Sequence, residues 1–446
     1  MNETLTYHTN MIFKRLTKLP VYALAFLCLL TSCKQQESTI RSIELTCENQ
    51  VNPEGINITS PHLSWILVSP ARAATQTAWQ ILVASSPGKL DKNEGDLWNS
   101  EKQKSDQSVL VKYEGEALHS GMACYWKVRI WDQDGRISPW SETARWSIGL
   151  LNPEHWKGKW IGTEKVFPGE DTAGQFRKLN ARYLRKEFNI SKPIKKATAN
   201  ISGLGLYELH INGGRTGNLV LAPGATDYTK TIFYNTYDVT PQLSQGSNAI
   251  GVILGNGRYF AMRKDEPFLM QNYGFPKLLM QIDIEFNDGS HKVISTDSTW
   301  KLTANGPITE NNEFDGEKYD ARLEMPGWDK PGFDAKNWMD AEIVEEPAGM
   351  LTGQLNEPIR VTVPITPVSV KKLRPGVYIY DMGQNMVGWV SLSAKGHPGQ
   401  KITMRFAETL KPDGSLYLAN IRSAKVTDSY IFNADNVTDW QPAFTY

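Results

Sequence analysis

The sequence predicts an all-β chain built as tandem β-sandwiches, and three observations carry that prediction. Apolar and polar residues alternate in period two along several segments, no segment keeps a sustained helical period, and tight-turn dipeptides punctuate the alternation. Trp126, Val128 and Ile130 point one way while Lys127 and Arg129 point the other, as in a half-buried strand. Met280, Ile282, Ile284 and Phe286 alternate with Gln281, Asp283 and Glu285, and Asn287-Asp288-Gly289 then turns into a partner strand from Lys292. Ile402, Met404 and Phe406 against Lys401, Thr403 and Arg405 repeat the pattern, and Asp134-Gly135 and Asn212-Gly213 mark further turns.

In chain order, a leader comes first. Lys14, Arg15 and Lys18 precede an apolar run from Val21 to Leu30, the charged and apolar regions of a secretory signal. The run is too short to cross a bilayer. It ends in Leu30-Thr31-Ser32-Cys33, the pattern of a bacterial lipobox, so residues 1–33 are expected to be a lipoprotein signal peptide with Cys33 as the lipid attachment site. The alternative is an ordinary cleaved signal with an incidental cysteine. Residues 34–42 are polar and short, as suits a tether. The expected location is therefore outside the cytoplasm, lipid-anchored in the bacterial outer membrane or periplasm. Cys28 would leave with the signal, and only Cys47 and Cys124 remain for a disulfide that the sequence allows but does not require.

At 446 residues the chain exceeds one core, and roughly 100–200 residues per domain predicts three domains after the leader. The first, over residues 43–150, has the size and strand spacing of an immunoglobulin or fibronectin-like sandwich. A Gly- and Trp-rich joint, Trp156 to Gly162, opens a second β-rich domain over residues 151–346. Residues 347–367 read as a linker with one strand at Ile359 to Val363, and residues 368–446 as an incomplete third β domain.

Lys plus Arg and Asp plus Glu are equal at 48 each, so no net field draws the protein to nucleic acid, which is not an expected partner. The 14 Trp and 17 Tyr suit sandwich cores and sugar-stacking platforms alike, core packing being the commoner use. The seven histidines show no pairing at metal-ligand spacing, and no Cys-x-x-Cys, nucleophile elbow, Walker loop or dinucleotide fingerprint occurs. Zinc chemistry, redox catalysis, acyl transfer and nucleotide hydrolysis therefore have no support in the sequence.

Several longer stretches resemble one family. Ser60-Pro61-His62-Leu63-Ser64-Trp65, Gln76 to Ala84 and Tyr125 to Asp132 resemble the opening domain of family 78 glycoside hydrolases, the bacterial α-L-rhamnosidases. Leu206 to Gly213, Leu221 to Tyr228, Tyr237 to Thr240 and Leu254 to Tyr259 are similar to that family's N-terminal jelly-roll module. Asp381 to Trp389, Phe406-Ala407-Glu408, Asp413 to Tyr417 and Asp428-Ser429-Tyr430 resemble the β-sandwich that precedes its catalytic barrel.

The resemblance implies an exported, inverting hydrolase releasing terminal α-L-rhamnose, with a rhamnose-containing oligo- or polysaccharide as partner. It also implies an (α/α)6 barrel carrying the catalytic acids after Tyr446. This chain is then the front part, expected to be inactive alone, with no catalytic residue of its own. The alternative is a surface lipoprotein that binds rhamnose-containing glycan through the jelly roll without cutting it.

The family's carbohydrate-binding version of the jelly roll uses carbonyl and carboxylate oxygens, sometimes around calcium. It points to Asn212, Asn218, Asp227, Tyr228, Asn256, Arg258 and Tyr259 as candidate sugar-binding residues, with any metal left open. Relatives often carry an aromatic where this chain has Ala225 and Arg258, and the candidates read equally well as turn and packing residues. Glu408 and Asp428 are the nearest thing to a carboxylate pair, but a strand setting suits them better to capping turns or backbone amides.

Overall fold

The computed structural model describes residues 37–263 and 271–445. The expected leader and Cys33 lie outside those residues. The chain is all-β, and among the described residues no helix is long and apolar enough to cross a membrane.

The first sandwich holds strands β1 (Arg41–Cys47), β2 (His62–Val68), β3 (Gln76–Ala84), β4 (Trp98–Asn99), β5 (Val111–Lys112), β6 (Ala123–Asp132) and β7 (Ala144–Ser147). They form two sheets, β1-β2-β5 and β4-β3-β6-β7, around fully buried Trp65, Trp126 and Trp146. Trp126, Val128 and Ile130 of β6 all face this core, as their alternation predicts. Lys127 between them is covered as well. Its ammonium donates to the Leu90 carbonyl at 2.6 Å and to Asn93 Oδ1 at 2.8 Å, beneath the short helix α1 (Pro87–Asp91). A long aliphatic stem can be buried when its charged head keeps partners. Cys47 and Cys124 are free, buried thiols, and burial pushes both upward in pKa.

The second region begins with β8 (Ile161–Gly162), β9 (Arg182–Ile190), β10 (Ile194–Leu204), β11 (Leu206–Ile211), β12 (Gly214–Arg215), β13 (Thr231–Asp238) and β14 (Gly246–Gly255). It continues with β15 (Lys277–Phe286), β16 (His291–Ser295), β17 (Lys301–Thr303), β18 (Ile308–Asn312), β19 (Gly316–Asp320), β20 (Met339–Asp340), β21 (Glu342–Ile343) and β22 (Met350–Gly353). One sheet runs β21-β8-β15-β10-β13-β22 with β16 on β15, and the other β12-β11-β14-β9-β17-β20. Apolar side chains from both sheets, with Trp300, close the core between them. The β15–β16 hairpin pairs Gln281 with Ser295 through Glu285 with His291, in the register that its turn predicts. Gln281, on the expected polar face, is nonetheless buried, because the joint lies over it. Lys157 N–H donates to its Oε1 at 2.7 Å, and its Nε2 donates to the His155 carbonyl at 3.2 Å.

The third region contributes β23 (Ser369–Arg374), β24 (Val377–Asp381), β25 (Leu392–Lys395), β26 (Lys401–Arg405), β27 (Thr427–Ile431) and β28 (Asn436–Trp440). β23 pairs β24 and β25 pairs β28, while β26 and β27 join the β18–β19 hairpin in the sheet β18-β19-β27-β26. Sequence-distant β19 and β27 are parallel neighbours, Tyr319 opposite Tyr430. The strand expected at Ile359 to Val363 is not formed. Its alternating Ile359, Val361 and Val363 are exposed, and only an isolated bridge joins Arg360 to Leu219. The strand of this stretch is β22, which pairs in parallel with β13.

Candidate functional site

The jelly-roll candidates sort by what their backbone does. Asn212 and Gly213 both have positive φ, +53° and +85°, which a two-residue hairpin turn between β11 and β12 requires. The Asn212 amide is engaged, its Nδ2 donating to the Gln242 carbonyl at 2.9 Å and its Oδ1 accepting from Ala249 N–H at 2.8 Å. Asp227 is exposed, and its Oδ1 accepts from the N–H and hydroxyl of Thr229 at 3.1 and 2.6 Å, which holds its carboxyl below the usual range. Asn218, also exposed, accepts from Arg360 Nε at 3.4 Å, and Arg258 donates to Glu313 at 2.8 Å.

Tyr228 and Tyr259 are brought together, rings 5.2 Å apart and edge-on, with Tyr273 stacked on Tyr259. Both Tyr228 and Tyr259 are buried among Trp160, Leu204 and Ile232, so neither presents an open face to a sugar. Asn256 is buried too, its Nδ2 donating to the Leu179 and Asn311 carbonyls, while its Oδ1 has no hydrogen-bond partner among the described residues.

Asn212 stands level with Ala249 in the middle of β14, whereas Asn256 follows the end of that strand. At roughly 3.4 Å per residue the two stand on the order of 20 Å apart and do not share one cation. Among the described residues no group of three or more His, Cys, Asp or Glu side chains is placed to hold a metal ion.

A second constellation sits where the third region meets the jelly roll. Asp428 on β27 is buried, its Oδ1 accepting from Glu317 N–H at 2.8 Å, and burial pushes its carboxyl up to about 6. Glu317 on β19 is sealed completely, and burial pushes it up to about 8 against two opposing amide bonds. Those bonds run from Ala443 and Phe444 N–H to Oε2, at 3.1 and 3.0 Å. Residues 443–444 are thereby pinned beneath the hairpin, with Phe444 packed near Tyr183, Leu206 and Ile253. Glu408 lies apart and exposed, touched by Asn420 at 3.4 Å. Asp428 and Glu317 are closed to solvent, and their carboxylates bond backbone amides. Glu317 carried no motif, and its role depends on a segment far along the chain.

Three family models match in series. Residues 42–152 match a Rha78A-like, N-terminal immunoglobulin domain, residues 192–363 an α-L-rhamnosidase N-terminal domain, and residues 371–446 a bacterial α-L-rhamnosidase concanavalin-like domain. An α-L-rhamnosidase of Formosa agariphila is 36% identical over 98% of this chain and 47% of its own length. One from an Alteromonas species is 34% identical over 90% of this chain and 43% of its own length. The solved α-L-rhamnosidase from Dictyoglumus thermophilum superposes with a TM-score of 0.81 at 41% identity, over 92% of this chain and 46% of that one. The Streptomyces avermitilis enzyme, solved complexed with L-rhamnose, gives 0.82 at 27% identity, over 91% and 55%. The chain thus spans about half the length of the curated relatives it matches. With immunoglobulin-like, jelly-roll and concanavalin-like β regions in that order, it belongs to the bacterial α-L-rhamnosidases of glycoside hydrolase family 78, as the N-terminal part of such a protein.

Proposed function

We propose that this chain is the accessory front part of an exported, lipid-anchored α-L-rhamnosidase, inactive by itself, acting on rhamnose-containing glycan. The observation that supports the reading is an uncovered apolar face on the third region. Val370 on β23 stands directly opposite Tyr380 on β24, and both are more than half exposed. Val368, two residues before Val370, is 69% exposed, and Val387, in the loop that follows β24, is 87% exposed. Clustered apolar exposure of this kind marks a surface that another protein layer covers. In this reading the layer is the catalytic module, seated against β23 and β24.

The test is release of rhamnose from an aryl α-L-rhamnoside. Release is expected from a longer chain carrying the half that the relatives add, and not from residues 1–446 alone. Activity in the short chain would overturn the reading. Anchoring is tested separately: Cys33→Ala is expected to move the expressed protein from the membrane fraction to the soluble one. A second reading, a lipoprotein that holds rhamnose-containing glycan without cutting it, is favoured by an indole-lined cleft between the jelly roll and the third region.

A further inference from the structure

That cleft encloses about 370 Å³, within the roughly 300–1,000 Å³ typical of small-molecule sites. One wall is the β11–β12 hairpin. Its tight turn sets His210 opposite Arg215, and Arg215 Nη2 then reaches Glu208 Oε1 at 3.0 Å and the Leu219 carbonyl at 2.9 Å. Behind Glu208 stands His210, whose Nε2 is 3.8 Å from Glu208 Oε2 and whose Nδ1 is 3.0 Å from Asp329 Oδ2. A line of alternating charge, Asp329, His210, Glu208, Arg215, therefore ends in the cleft and holds the Glu208 carboxylate in place.

The opposite wall comes from the third region. Trp389 donates its indole N–H to Gln441 Oε1 at 2.9 Å, which fixes the ring plane, and Asp439 is exposed beside it with its backbone N–H on Ser393 Oγ at 3.1 Å. Both Trp389 and Asp439 line the cleft with Glu208 and Arg215. A flat indole, two carboxylates and one guanidinium are complementary to a pyranose. The ring takes the sugar's C–H face, and the charged groups take its hydroxyls in charge-assisted hydrogen bonds. Two carboxylates against one guanidinium leave the walls net negative, which disfavours phosphates and uronic acids and favours a neutral sugar.

We propose that this inter-domain cleft is a carbohydrate subsite for one neutral pyranose residue, stacked on Trp389 and hydrogen-bonded by Glu208, Arg215 and Asp439. It binds and does not cut, and it lies apart from the Tyr228 and Tyr259 cluster. The choice of rhamnose as its sugar rests on the function proposed above; the site itself does not.

The test is titration of the purified chain with methyl α-L-rhamnopyranoside, followed by isothermal titration calorimetry. Saturable change is expected, weakened about tenfold or more by Trp389→Ala and by Glu208→Gln, with Trp389→Phe restoring much of it because the flat platform returns. Thermal melting of each variant, unchanged for Trp389→Ala, separates lost binding from lost folding. No saturable binding of this glycoside or of the methyl glycosides of glucose, galactose, mannose and fucose, or binding indifferent to both Trp389→Ala and Glu208→Gln, overturns the subsite. If the longer chain still releases rhamnose in that case, the rhamnosidase reading stands without it. If the longer chain releases none while the variants lose binding, the subsite stands and the hydrolase reading falls.

Discussion

Glu317 and His210 show how burial and neighbours decide what a titratable side chain does. Burial keeps the proton on Glu317 up to about pH 8, against 4.5 for the free carboxyl. The folded state therefore holds a proton that the unfolded chain has released. Its contribution to stability is complete below about 4.5 and declines as pH rises toward 8, by up to about 1.4 kcal/mol per pH unit. Glu317→Gln, which cannot ionise, is expected to flatten that slope in urea midpoints measured across the interval; an unchanged slope would assign it to other groups. His210 runs by the opposite logic. Burial alone would lower it, but hydrogen bonds and charge from Asp329 and Glu208 raise it from 6.5 to about 9. The imidazolium's contribution is whole below about 6.5 and is lost as pH rises through about 9. Asp329→Asn is expected to bring the imidazole titration, followed by NMR, down by about one pH unit or more.

At the scale of elements, the strands easiest to read were those with one dry face, such as β6 and β15, because period-two alternation reports a face and both keep one. The false strand at Ile359 to Val363 has the alternation without a face to bury it. Nor does any local signal say that β19 pairs β27 across more than a hundred residues, since parallel pairing is chosen by packing rather than by turns. Gly255 marks how tightly that junction is made. A Cβ there would stand 2.5 Å from the Phe444 ring. Gly255→Ala is therefore expected to displace Phe444 and cost about 1–3 kcal/mol, seen as a lower urea midpoint with residues 442–445 newly open to proteolysis. Full protection of that segment would show that β14 yields instead.

Across the whole molecule, the Tyr234 phenol sits at the centre of a small hydrogen-bond set that ties the first sandwich to the second. Tyr234 accepts from Leu150 N–H at 2.7 Å and donates to Asn57 Oδ1 at 2.9 Å, and Asn57 Oδ1 in turn accepts from Gly353 N–H at 2.5 Å. Tyr234→Phe leaves the half-buried Leu150 N–H without its acceptor while Asn57 Oδ1 keeps the Gly353 N–H, an expected loss of about 1–2 kcal/mol. Calorimetry should show the two sandwiches unfolding less cooperatively, and a single unaltered transition would show the tie to be redundant. The open face of the third region behaves otherwise. Val387, at 87% exposure, contributes little to this chain's own stability. Val387→Asp is expected to change the unfolding free energy of residues 1–446 by less than about 0.5 kcal/mol, while lowering rhamnose release by the longer chain.

Alternation, turn dipeptides and long family-like stretches were enough, by themselves, to establish an all-β chain of rhamnosidase type, because these signals are local or repeat over short spans. The same locality made Asn212-Gly213 legible as a turn and left its consequence, Arg215 set against Glu208, out of view. Tyr228 and Tyr259 look the same in sequence whether they stack on sugar or on each other, and only packing against Trp160 and Ile232 placed them in a core. Glu317 against Phe444, and Glu208 across from Trp389, join residues more than a hundred positions apart. Burial and charge at such places are set by which sheets meet, and that is decided by the tertiary structure.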